Sequence, residues 1–339
     1  MTGSFLHRLG REEGGSVLVL VAGFMTAALL LGALAVDLGC LYVRGGQVQT
    51  AADAAVLAAG RLLPIASNDT AGKQKIAAIA AEYLQKNGSY PLEDYEFYFD
   101  GPKSRCGGSS NLTTFGVKIK GTVLTSFAPV IGVYALSFTK TAEVQSMVCV
   151  RLSDVVPLGV ERAKLSACLA AGIREHITLK YGAKGGNTLP SGSFGAIDLD
   201  GVKGGGANDF RTWLTYGYSG QLAVGSVLPV ESGNMAGPTS QAFTSRYSQC
   251  THFPGQGGCT AQHYVSSCPR VIKVPVVEYE GKKNVRIVGF AAFVLEGQPP
   301  GMSDAITGSY VDMVTLGSAG GDATGKSENF GVYSLMLSK

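Results

Sequence analysis

Charge is scarce in this chain: only 16% of its 339 residues are Asp, Glu, Lys or Arg, and 28 basic side chains nearly balance 25 acidic ones. The resulting net charge of +3 is spread along the chain without a basic block, which leaves no electrostatic footprint for nucleic acid. Histidine occurs four times and tryptophan once, so acid–base chemistry has few side chains to draw on. No G-x-S-x-G elbow is present, since Gly217-Tyr-Ser-Gly220 lacks the spacing. EF-hand loop spacing and internal repeats are also missing. With 47 glycines against 13 prolines, the composition indicates many turns and β structure rather than disorder.

What the chain does have is one long uncharged run, Val17 to Val36, with no proline and only Thr26 as a polar side chain. Twenty helical residues at about 1.5 Å each span roughly 30 Å, the hydrocarbon thickness of a bilayer. The apolar core of a cleaved signal peptide is shorter, and this run flows into Asp37-Leu-Gly-Cys-Leu-Tyr-Val43 without a cleavage site, so a retained anchor is expected. Gly39-Cys40 suggests a lipoprotein site, but Asp37 stands where Leu is required; an acid there suits the membrane edge, and Cys40 an interfacial thiol. Arg8 and Arg11 before the run, against Arg44 after it, place the N-terminus in the cytoplasm. Six of the seven cysteines follow the anchor, an even set compatible with disulfides in an oxidising compartment.

Beyond the anchor, Val48, Ala51, Ala52, Ala55, Ala59, Leu62 and Leu63 recur on one face of a helix, with Gln49 and Asp53 off it and Pro64 ending it. Gly45-Gly46 marks a place for a kink. A second helix follows the cap cluster Ser67-Asn-Asp-Thr70. Ile76, Ile79, Ala80, Tyr83 and Leu84 form its apolar face, Glu82 and Lys86 a pair, and Gly88 its end. From Tyr95 the period changes to two: Tyr95–Phe99, Val117–Lys120 and Lys140–Gln145 read as strands. Past Arg151 come a helix near Arg162 to Ile173 and then Gly-punctuated strand and loop. Val271–Val277 and Val285–Leu295 form a hairpin about Glu280–Asn284, with Pro275 marking an edge strand, and Gly331–Leu337 is the last strand.

These residues resemble the Tad-type (TadG-like, TadE–TadG) Flp pilus-assembly family. The resemblance rests on Arg11-Glu-Glu-Gly-Gly-Ser-Val17, the apolar run, Ala35-Val-Asp-Leu-Gly39, Leu41-Tyr42 and above all Gln47-Val-Gln-Thr-Ala-Ala-Asp-Ala-Ala55. Val156–Gly159, Gly192–Asp200, Gly233–Thr239 and Val288–Phe293 look more loosely like the C-terminal β region of such proteins. The resemblance implies a bacterial inner-membrane protein, single-pass, with its bulk periplasmic or extracellular, serving a tight-adherence pilus or related secretion machine. Prepilin processing requires Glu five residues into the mature helix. Counted from Gly15 that position is Leu20, so an unprocessed accessory or minor subunit is expected.

Several motifs invite chemistry. Gly320-Gly-Asp-Ala-Thr-Gly-Lys-Ser327 matches the phosphate-binding loop pattern, but only twelve residues follow it and they read as strand, so no nucleotide is assigned. Cys250, His252, Cys259, His263 and Cys268 cluster in sequence. Their spacing fits no paired zinc pattern, and disulfide-stapled loops are expected, with Cys106–Cys149 as a further bridge; six cysteines leave fifteen pairings open. Asp198-Leu-Asp200-Gly201 and Gly206-Ala-Asn-Asp209 offer calcium oxygens but read as turns, and Trp213 with Tyr216-Gly-Tyr218 as local core.

The expectation is an α+β protein: a transmembrane helix continuing into a pilin-like helix packed on a small antiparallel sheet, then a mainly-β C-terminal domain. Residues 1–15 are cytoplasmic, 16–40 transmembrane, 41–150 the pilin-like stalk domain and 151–339 the mainly-β extracytoplasmic domain. No catalytic, cofactor or metal residue is assigned, and no enzyme activity. Lipid and other pilus-assembly or pilin-like subunits, met through the Ala-rich helix Gln47–Leu63, are the expected partners. The alternative is a membrane-tethered adhesin or binding module with no pilus role.

Overall fold

The computed structural model describes residues 13–88, 94–100, 111–181, 195–202, 206–231, 233, 235–281, 283–297, 301, 305–320 and 328–338. Among these residues the chain forms five α-helices and fifteen strands. Six strands are two residues long and are named by their residues; the nine longer ones are β1–β9.

Helix α1 (Glu13–Gly60) runs unbroken through Gly45-Gly46, so anchor and stalk are a single rod of about 70 Å at 1.5 Å per residue. It is followed by α2 (Thr70–Asn87), which starts and stops where its caps dictate. The Asp69 carboxylate accepts from the Gly72 N–H at 2.8 Å, and the Gly88 N–H donates to the Leu84 carbonyl. Ile76, Ala80 and Leu84 form the buried face of α2, and Lys86 pairs with Glu82 at 2.6 Å. The strands β1 (Asp94–Asp100), β2 (Thr114–Leu124) and β3 (Ala135–Leu152) form an antiparallel meander. One core lies between α1, α2 and this sheet, where Val48, Ala52, Ala55 and Ala59 meet Phe115, Val117, Ile119 and Val144.

Next come α3 (Arg162–Ala170), β4 (Ile177–Lys180), α4 (Gly206–Tyr216), β5 (Val227–Pro229) and α5 (Ala236–Ser248). Strands β6 (Val271–Glu280), β7 (Asn284–Val294) and β8 (Ile306–Val311) complete a second sheet, ordered Val160–Glu161, β6, β7, β8, β4, with β5 beside β7. Helices α3–α5 cover one face, burying Leu165, Phe210, Leu214 and Phe243 against Val274, Ala291 and Phe293. The other face (Val285, Ile287, Phe290, Ala292) meets Cys149 and Leu152 from the far end of β3; this is the second core. Val288 is the extra residue of a bulge, because Val276 pairs with Gly289 and Val277 with Ile287. The bulge shifts the alternation, which keeps Phe290 on the same face as Ile287.

The α+β architecture and the mainly-β C-terminal part are as expected, with differences in detail. The last strand, β9 (Val332–Ser338), does not close the second sheet. It pairs with β3 of the first, from Tyr333↔Val148 to Ser338↔Glu143, so the division set at 150/151 is bridged by the first sheet. Helices α4 and α5 were not expected; Gly233–Thr239, read as β, leads into α5, whose Ser- and Thr-rich sequence hides its apolar stripe of Ala242, Phe243 and Tyr247.

Pro275 is not on an edge strand, since β6 has neighbours on both sides. Lys273 directs its carbonyl to the Val156 N–H at 2.8 Å, so by the two-residue period the missing N–H of Pro275 faces that side too. The Val156 carbonyl takes the Leu158 N–H instead, and pairing resumes only at Val276↔Val160. A proline within a sheet is tolerated here because the ladder on that side is already broken.

Candidate functional site

The rod changes environment along its length. From Val17 to Val36 its large apolar side chains are exposed, Leu18 and Phe24 by 72% and 76%. From Val48 onward one face is buried. The β2–β3 hairpin runs alongside the rod towards its N-terminus. Val144 lies against Gly60, the Thr141 carbonyl accepts from Gln49 at 3.2 Å, and Lys140 lies against Gly45. The hairpin tip ends at Asp37.

That meeting point is the best-defined polar site on the rod. The Asp37 side chain is buried, and its carboxylate accepts from three consecutive backbone N–H groups: Ser126 at 2.7 Å, Phe127 at 3.1 Å and Ala128 at 2.8 Å. These amides open a short 3-10 turn, Ala128–Ile131, so the acid satisfies donors that the turn cannot satisfy itself. Around the clamp the tip exposes Leu124, Phe127, Val130, Ile131 and Tyr134. A cluster of apolar and aromatic side chains at the level where an uncharged helical run ends has the composition of a membrane–water interface.

The Ala-rich face is not available in the way expected. Ala51, Ala52, Ala55 and Ala59 are all buried against the chain's own α2 and first sheet, so the stripe serves internal packing rather than a neighbouring subunit. The approach is close: a methyl group on Gly60 would stand 2.7 Å from Val144 Cγ1. Gln49 donates within the chain, to Asp53 at 2.9 Å and to the Thr141 carbonyl, whereas Gln47 remains exposed. Small residues permit close backbone contact, but they do not specify whose backbone approaches.

A second constellation lies between α5 and β6. Cys250, His252, Cys259 and Cys268 converge there, with their candidate ligand atoms all within 4.8 Å of one another. None of the six described cysteines is bonded to another. Cys106 and the proposed Cys106–Cys149 bridge lie outside the described residues; Cys149 itself is buried, and burial pushes its thiol up to about 12. Burial raises the Cys250 thiol too, but N–H groups of Cys259 and His252 and the facing Cys268 and His252 side chains bring it below the ordinary thiol range. His263, grouped with these residues in the sequence, instead pairs its backbone with Thr260 and sets its ring edge-on to Phe253. A short Cys-x-His pair at 250–252 was the one local signal of this convergence.

Other candidates resolve as local structure. Residues 321–327 of the phosphate-loop match lie outside the described residues; the chain that follows forms β9, not the helix such a loop opens. Asp198 and Asp200 accept from the Gly201 and Val202 N–H groups, as turn residues do. Trp213 and Tyr218 stack edge-on at 5.3 Å against the second core.

Fold and site together define a rod-tethered α+β protein with, among the described residues, one candidate membrane-spanning helix, its bulk built on the rod's second half. Residues 15–62 match the Tad family model, TadE/G-like Flp pilus assembly, a span that coincides with α1 almost end to end. No curated protein and no solved structure matches the chain.

Proposed function

We propose that this protein is a membrane-anchored structural or accessory component of a Tad (Flp) pilus or related secretion machine. It is held in the bacterial inner membrane by residues 16–40, with its N-terminus in the cytoplasm and its bulk outside. The observation that carries the reading is the Tad-type rod itself: a segment matching pilus-assembly proteins, exposed on all sides over its apolar half and ending at the clamped hairpin tip. The tip would rest on the outer lipid interface and fix the height of the rod. With the Ala stripe buried, contacts to other subunits fall to the exposed apolar half, inside the membrane. No catalytic step is assigned.

Deletion of the gene in its native bacterium, with photocrosslinking from position Leu29, tests this. Loss of surface pili together with crosslinks to other pilus-assembly subunits is the expected result. Normal piliation with loss of surface binding would support the tethered-adhesin reading instead.

A further inference from the structure

We propose that Cys250, His252, Cys259 and Cys268 form a structural zinc(II) site that clips the long irregular connection between α5 and β6 onto the second core. Apart from one short 3-10 turn at Pro254–Gln256, the stretch from Gln249 to Arg270 has no regular structure, yet it carries Cys259 and Cys268 in a fully buried environment. Connections this long inside a compact domain are uncommon and need something to hold them. No sheet ladder does so here. What holds this one is a set of side chains gripping backbone. Arg246 donates to the Pro269 and Leu214 carbonyls, Arg270 donates to the Gly257 carbonyl at 2.9 Å while stacked 4.4 Å over Tyr247, and Glu296 accepts from the Ala261 N–H.

The donor set suits the ion. Tetrahedral zinc with Zn–S bonds of about 2.3 Å places its ligand atoms about 3.8 Å apart, so atoms already within 4.8 Å need move by about 1 Å at most. Three thiolates and one imidazole complete a closed shell, which is the pattern of a structural rather than a catalytic centre. His252 Nδ1 is buried without a hydrogen-bond partner, a cost that coordination through the ring can remove. The Arg270 N–H lies 3.4 Å from Cys268 Sγ, the amide-to-sulfur contact that supports a ligating thiolate. On binding, hydrated Zn²⁺ gives up its waters and the three thiols give up their protons. The complex carries a net charge of −1, and buried Arg246 lies within electrostatic reach of Cys268 to balance it. A disulfide could use only two of the three sulfurs, leaving a buried thiol and the histidine unexplained.

The test uses the full chain, purified from membranes in detergent without chelator, and is independent of any pilus phenotype. Metal analysis should find about one zinc per chain. Alkylation should spare Cys250, Cys259 and Cys268 until a chelator is added, and cobalt(II) substitution should give thiolate charge-transfer absorption. Cys259→Ser and Cys268→Ser should lower bound zinc by about tenfold or more, while Cys168→Ser leaves it unchanged. His252→Ala, at a ring only half-buried, provides the same reading if the cysteine variants do not fold. A disulfide joining any two of the three sulfurs in protein taken directly from membranes would overturn the proposal. So would failure of the reduced chain to retain added Zn²⁺.

Discussion

The two halves of helix α1 share a backbone conformation and differ in almost everything else. Before Asp37 twelve of the twenty residues from Val17 on are Leu, Val, Phe or Met, and all twelve are exposed; after Val48 the contact face is mostly Ala, and it is buried completely. The difference shows that side-chain size, not hydrophobicity alone, assigns the two environments. Large apolar residues give a lipid-facing surface, whereas Ala and Gly let the helix approach α2 and β3 closely enough to share one core with them. Asp37 marks the change with a buried acid whose partners come from a hairpin far along the chain.

Substitutions can break this division. The largest effect is expected from Leu29→Lys, which places a charge within the exposed apolar run. It costs about 3 kcal/mol of insertion free energy, seen as protein lost from the membrane fraction while the folded bulk is preserved. Ala55→Leu, which would weaken assembly and leave the fold intact if the stripe faced a partner, should instead overpack the internal core and cost about 1–3 kcal/mol, measured by chemical denaturation. Unchanged stability would return the stripe to intersubunit use. Asp37→Ala removes the acceptor for three amides, and about 1–2 kcal/mol is the expected loss, with Asp37→Asn retaining part of it. Hydrogen exchange at Ser126–Ala128 should rise in parallel.

A pH-dependent effect sharpens the comparison from outside the rod. Lys180 on β4 is buried, and burial lowers its ammonium to about 8 from a usual 10.5. The unfolded chain therefore holds more protons than the folded one between those values, so folding gains stability as pH rises through that window. The penalty is fully present below about pH 8. Wild type should gain on a Lys180→Met variant as pH is raised from about 8 towards 10.5, and parallel melting curves across that range would contradict it.

Local rules made much of the fold legible. The α2 caps at Asp69 and Gly88, the hairpin of β6 and β7, the strands β1 to β3 and the entire Tad-like rod follow from patterns within a few turns or one strand pair. What escaped those rules was long-range. Nothing near Val332 says that β9 pairs with β3 rather than with the second sheet. Pro275 signalled an edge because its tolerance depends on a gap made by Val156 and Leu158, over a hundred residues away in sequence. The cysteines at 250, 259 and 268 share no local motif, and only the packing of their loop brings them around His252.

Composition and period alone determined that this protein carries an apolar helical rod continuous with an Ala-lined one, followed by a chain of mixed helices and short strands. Those properties depend on neighbours three or four residues apart, or two apart in a strand. Tertiary structure alone decided that the Ala face is used internally, that Asp37 clasps the hairpin tip, and that the last strand returns to the first sheet. Each of these depends on which distant surface excludes water most completely, and no local window of sequence contains that surface.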